Sequence, residues 1–99
     1  MNSQNGIADR IETFVRTEFE VSPNDNGFDR EVDLFELGYI DSVGFAELLA
    51  FLAEEFGVDI PEQEILSDDF TRITGMAGIV RRLVNDPQQS ILLDGKPAT

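Results

Sequence analysis

The chain has no histidine and no cysteine in its 99 residues, so any chemistry falls to hydroxyls, carboxylates and a few bases. No Ser-His or Cys-His pair can form, and no imidazole or thiolate is available to hold a metal. Carboxylates are plentiful, but an acid–base pair needs a cleft, and about a hundred residues of small domain leave little room for one. Asn24, Asn26 and Gly27 echo a calcium-binding loop. That loop would begin on Ser22, where an acid is wanted, and end on Asp33, where a bidentate glutamate is wanted. It would also put Asp29 where an apolar residue packs. The segment reads as a turn. What remains is one hydroxyl in a distinctive setting, Ser42 within Leu37-Gly38-Tyr39-Ile40-Asp41-Ser42-Val43. It follows a loop that turns on glycine and heads an apolar-periodic helix running from about Val43 to Phe56. Taken alone, a serine there is an ordinary helix N-cap. With no base nearby in sequence and no histidine anywhere, it is not an enzyme's nucleophile, and the chain is not expected to be an enzyme.

Helices must position this hydroxyl. Ile7, Ile11, Phe14, Val15 and Phe19 fall at i, i+4, i+7, i+8 and i+12, one stripe of an amphipathic helix. Ser22-Pro23-Asn24-Asp25-Asn26-Gly27 stops it. The connection that follows carries Phe28, Val32, Leu34, Phe35, Leu37 and Ile40, too many apolar residues for a solvated linker. It is expected to wrap the body of the domain and bury them, with a turn of helix at Val32–Phe35; long ordered loops of this kind are often functional.

On a wheel at 100° per residue, Phe45, Leu48, Leu49, Leu52 and Phe56 of the next helix cluster on one side and should face the core. Val43, Glu47, Ala50 and Glu54 cluster opposite, and Phe51 falls between the two faces. Gly57 suits the helix C-terminus. Glu62–Leu66 reads as a turn or two of helix with proline near its start, and Ser67–Ile73 as a short helix or irregular turn. Thr74 looks like the N-cap of a last helix with a stripe of Met76, Ile79, Val80, Leu83 and Val84. Arg81 and Arg82 suit its C-terminal turn. Three main helices and a short one, with no confident strand, predict an all-α fold, a small four-helix bundle with a long loop between helices 1 and 2. Residues 1–86 are expected to form the domain and 87–99 a flexible tail, in which Ile91-Leu92-Leu93 is a candidate to dock on the body.

Charge narrows the partners. Residues 29–69 hold thirteen acids and one base, Arg30, so nearly all of the net −13 lies in the middle of the chain. Binding nucleic acid through its phosphates is disfavoured, and basic protein surfaces are steered toward this segment. No apolar run approaches the roughly 18 to 20 residues that span a bilayer. The N-terminus lacks the basic and apolar regions of a signal peptide, so cytoplasm is the expected location.

Leu34-Phe35-Glu36-Leu37-Gly38-Tyr39-Ile40-Asp41-Ser42-Val43 resembles the phosphopantetheine attachment site of acyl and peptidyl carrier proteins. The likeness continues through Glu54-Glu55-Phe56-Gly57-Val58-Asp59-Ile60-Pro61 and covers roughly residues 5–86. It implies a right-handed bundle of four helices in which Ser42 receives 4′-phosphopantetheine from coenzyme A. A separate phosphopantetheinyl transferase would make the attachment, with Asp41 helping to present the serine near its metal-phosphate site. The arm's thiol would then carry an acyl or aminoacyl group as a thioester. A loading ligase or acyltransferase and downstream biosynthetic enzymes follow as partners, and a monomer as the natural state. Val43, Glu47, Ala50 and Glu54 supply an exposed docking stripe that continues from the attachment point; a merely solvated face would explain the glutamates but not an exposed valine. Val43 replaces the family's usual leucine, and Gly44-Phe45-Ala46 follows where further acids are common. These departures are more similar to freestanding carriers of specialised pathways (polyketide, nonribosomal peptide or related) than to the general fatty-acid carrier. The alternative from another class is an acidic interaction module that keeps the fold and is never loaded.

Overall fold

The computed structural model describes residues 3–86, and every regular element among them is helical. Helix α1 spans Ser3–Glu18, α2 Ser42–Phe56, α3 Glu62–Ile65 and α4 Ile73–Val84, with a 3-10 turn at Asp68–Thr71 before α4. The segment 87–99 lies outside the described residues, and with it the Ile91-Leu92-Leu93 docking candidate. The small four-helix bundle and its long first loop are the architecture the apolar periodicities predict.

The core forms where the stripes meet. Ile11 and Val15 of α1 are fully buried, as are Leu48 and Leu52 of α2 and Met76 and Val80 of α4. α1 packs most extensively against α4. Between α2 and α3 the chain turns at Gly57, whose φ of 64° is the left-handed conformation that closes a helix at little cost in glycine. Phe70 in the 3-10 turn is fully buried, and Gly75 lets that turn press on α4. A Cβ at Gly75 would lie 1.9 Å from the Asp69 carbonyl oxygen, so only glycine fits there.

Two expectations about α4 need correction. Thr74 is not its N-cap: the cap lies two residues earlier, at Arg72, which makes no side-chain cap bond, and the helix starts at Ile73. The Thr74 amide instead donates to the Arg30 carbonyl at 3.0 Å, and its hydroxyl lies 3.3 Å from the same oxygen and 3.2 Å from Glu31 Oε1. The N-terminal turn of α4 therefore satisfies itself on the long loop. Val84 closes the apolar stripe in sequence but is 48% exposed, at the edge of a groove it lines with Ile7 and Phe56, while Leu83 beside it is buried.

The long loop is also fastened to α1 by charge. Arg30 Nε donates to Glu12 Oε1 at 2.6 Å, Arg30 Nη2 pairs with Asp9, and Arg16 Nε takes the other Glu12 oxygen at 2.8 Å. Arg16 also lies over the buried Phe28 ring, 4.5 Å from its centroid. Hydrogen bonding by Arg16 holds the Glu12 carboxyl below its ordinary value; partial burial opposes this and Arg30 adds to it. With the folded pKa depressed, this stabilisation is fully present above the ordinary carboxylate range. It is lost as pH falls through that range toward the lower folded value. Glu12→Gln is expected to lower stability at neutral pH by about 1 kcal/mol. It should also flatten the acid limb of a plot of urea midpoint against pH, and unchanged limbs would show that Glu12 is not linked to folding.

Candidate functional site

The chain approaches Ser42 through a turn built around Leu34. Its side chain is fully buried, and its amide donates to the Thr71 carbonyl at 2.9 Å. Its carbonyl accepts from the amides of Tyr39 at 2.9 Å and Ile40 at 3.3 Å. The expected helical turn at Val32–Phe35 is displaced by a residue or so: the bonds run from Leu37 N to Asp33 O and from Gly38 N to Phe35 O. The Asp33 side chain accepts from the Glu36 amide, which holds its carboxyl below the usual range. Gly38 takes a φ of 83° and reverses the chain. Phe28, Leu34 and Ile40 are buried as the apolar content of the loop predicts. Phe35 and Leu37 are not: they are 37% and 54% exposed, because the turn that buries Leu34 projects its neighbours outward. The Phe35 ring leans on Phe45, with centroids 5.0 Å apart.

The N-cap of α2 is Asp41, not Ser42. Asp41 has extended backbone (φ −114°, ψ −171°), and its Oδ1 accepts from the Gly44 amide at 2.8 Å. Ser42 is thereby displaced into the first helical position. Its side chain is exposed, and among the described residues no hydrogen bond engages its hydroxyl. A capping serine would have spent its oxygen on the helix; this one has not. Gly44 is buried beneath the end of α1, where an added Cβ would lie 2.7 Å from the Phe19 ring. Gly44 continues the buried line of Leu48 and Leu52 at a spacing of four residues, but as a glycine it adds no apolar side chain to mark that contact in sequence.

The helical wheel of α2 holds residue by residue. Leu48 and Leu52 are buried, Phe45, Leu49 and Phe56 partly so. Val43, Glu47, Ala50 and Glu54 are all exposed, Val43 at 69%. Phe51 is half-buried, its ring stacked on Phe14 at 4.2 Å between centroids. Ser42, Ala46, Leu49 and Ala53 share one side of α2 at helical spacing. Down that side lies a groove of about 280 Å³ lined by Leu49, Ala50, Ala53, Asp59, Ile60 and Ile65. A larger groove of about 450 Å³, floored by Phe14 and Phe51, lies at the seam of α1 and α2. Phe51 is half a turn of the wheel away from Ser42, so this groove faces away from the hydroxyl.

These residues make an accessible hydroxyl on a capped helix end, and among the described residues no group is hydrogen-bonded to it to take its proton. The donor set offers no metal centre: among the described residues no cluster of three or more His, Cys, Asp or Glu side chains is disposed to hold an ion. The former calcium-loop candidates make turns, with Asn24 N donating to Ser22 Oγ at 3.1 Å and Gly27 N to Asp25 Oδ1 at 2.9 Å. No helix among the described residues is long and apolar enough to cross a membrane. If Asp41 alone caps the helix, Asp41→Ala should cost about 1 kcal/mol in urea unfolding, with Asp41→Asn keeping most of it. Ser42→Ala should stay within about 0.5 kcal/mol of wild type. The reverse ranking would return the cap to Ser42.

Comparison with known proteins agrees with this geometry. The family model described as a phosphopantetheine attachment site matches residues 9–83. A curated relative, the probable acyl carrier protein PigG of Serratia sp. (strain ATCC 39006), is 32% identical over 83 residues, covering 84% of this chain and 94% of the relative. No solved structure gives a significant match.

Proposed function

The chain belongs to the phosphopantetheine-attachment family of acyl and peptidyl carrier proteins, and on that premise we propose that Ser42 is the residue that receives 4′-phosphopantetheine. The observation that carries this assignment is the division of labour at the start of α2. Asp41 caps the helix, and the exposed Ser42 hydroxyl is left without an internal partner. That is what attachment of a bulky phosphodiester requires of a serine: the oxygen is reachable, and losing its proton costs the fold no hydrogen bond. The bound group supplies a terminal thiol, which this cysteine-free chain lacks, and so a place to hold an acyl or aminoacyl cargo as a thioester.

The chain's own part in the attachment is positional. Asp41 holds the first turn of α2 in place, and the carboxylate oxygen not used in capping stands beside the serine in sequence, available to a transferase's cation. The hydroxyl proton has to be taken by that transferase, because among the described residues no hydrogen bond engages it. Val43, Glu47, Ala50 and Glu54 then run from the attachment point as an acidic, partly apolar stripe, suited to basic partner surfaces. Each partner must release the carrier in turn, so contacts are expected to be weak and the carrier monomeric, non-catalytic and cytoplasmic. Val43 in place of leucine and Gly44-Phe45-Ala46 behind it support a carrier dedicated to a specialised biosynthetic pathway over the general fatty-acid carrier.

Incubation with coenzyme A and a promiscuous phosphopantetheinyl transferase should add the mass of one phosphopantetheinyl group to the wild-type chain and none to Ser42→Ala. A wild-type chain left unmodified by several transferases would overturn the assignment. Biological activity surviving in Ser42→Ala would point instead to an interaction module that is never loaded.

A further inference from the structure

Tyr39 is three residues before Ser42, and its hydroxyl reaches back across the loop. It donates to Asp25 Oδ2 at 2.9 Å, while Asp25 Oδ1 accepts from the Gly27 amide. The Tyr39 ring meets the buried Phe28 ring edge-on, with centroids 5.2 Å apart. Among the described residues this is the one side-chain hydrogen bond that joins the first part of the loop to its last part. The fastenings of the loop to the helices act in its middle, through Arg30 on α1, through Arg30 and Glu31 on Arg72 and Thr74, and through Leu34 on Thr71. The last residues before the helix therefore depend on few contacts. The Tyr39 and Ile40 amides share the Leu34 carbonyl, the Tyr39 side chain is tied to Asp25, Ile40 is buried in the core, and Asp41 then caps α2.

We infer that Tyr39 and Asp25 form a positioning pair that holds the Asp41–Ser42 segment in the arrangement a transferase recognises. The inference rests on Ser42 as the attachment residue. Neither side chain touches the reacting oxygen; their role is to keep one approach of the chain populated. Without the tie, only the bonds of the Tyr39 and Ile40 amides to the Leu34 carbonyl and the burial of Ile40 hold the segment ahead of the cap, and the competent arrangement becomes a smaller fraction of the ensemble. A fall in that fraction raises the apparent constant for binding while leaving the bound complex unchanged.

Tyr39→Phe is the informative variant, because it keeps the ring on Phe28 and removes only the donor. In transferase assays with saturating coenzyme A, KM for the Tyr39→Phe carrier should rise roughly three- to tenfold, the scale of one hydrogen bond to a carboxylate. kcat should stay within about twofold of wild type. Asp25→Ala should raise KM at least as much, and the double variant no further than Asp25→Ala, since the pair acts as a unit. Amide exchange at Gly44, whose protection reports the Asp41 cap, should quicken in Tyr39→Phe while the urea midpoint moves little. Wild-type KM in Tyr39→Phe, with wild type loading normally, would overturn the positioning role, as would KM effects that multiply in the double variant. Failure of wild type to load in the same assay would instead overturn the Ser42 assignment, and the two failures are thereby distinguished.

Discussion

The burial of Leu34 is the constraint on which the rest of the site depends. A connection as long as residues 19–41 orders only if its backbone groups find partners and its apolar side chains find the core. Leu34 does both at one position, with its side chain fully buried, its amide on Thr71 and its carbonyl shared by Tyr39 and Ile40. Truncating a fully buried leucine typically costs about 2–5 kcal/mol, and here the damage would extend beyond a cavity. The chain entering α2 hangs from the Leu34 carbonyl, so the direction in which Ser42 is offered is set in the loop rather than in the helix.

Charge is distributed with similar economy. Four arginines are paired with carboxylates: Arg10 with Glu55, Arg16 and Arg30 with Glu12, and Arg82 with Glu64. Glu47 and Glu54 on the outer face of α2 enter no salt bridge among the described residues. Exposed pairs of this kind contribute little stability each. Their larger effect is to neutralise Asp9 and Glu12 on α1, Glu55 on the α1-facing side of α2 and Glu64 on α3, which leaves Glu47 and Glu54 as unneutralised charge along the outer face of the helix that carries Ser42.

The parts of this structure legible in the sequence are those governed by local periodicity. The two faces of α2 and the core stripe of α1 follow from a 3.6-residue repeat, the αL end of α2 follows from the glycine at position 57, and all appear where the sequence puts them. What was not legible depends on competition or on distance. Asp41 and Ser42 are both good caps and stand side by side, and propensity alone cannot choose between them. The choice of Asp41 follows from where Leu34 and Ile40 fix the chain. Phe35 and Leu37 belong to an apolar loop in composition, yet a turn can bury only the residues on its inner side. Thr74 resembles a cap until the loop arrives to supply the carbonyl its amide needs. Arg30 binds residues 18 and 21 positions away, a pairing that no sequence window contains.

The contact between Gly75 and the Asp69 carbonyl bears on how the bundle can move. It joins backbone to backbone, so no change of rotamer relaxes it, and α4 cannot slide or roll against the 3-10 turn without lifting that turn and the fully buried Phe70 from the core. α3 is different: its four residues include none that is buried. Regions with little buried surface are the ones that open at low free energy. α1, α4 and the 3-10 turn thus make the stationary frame of this carrier, and α3, tied to α4 through Glu64 and Arg82, is the wall of the groove beside α2 with the least buried surface.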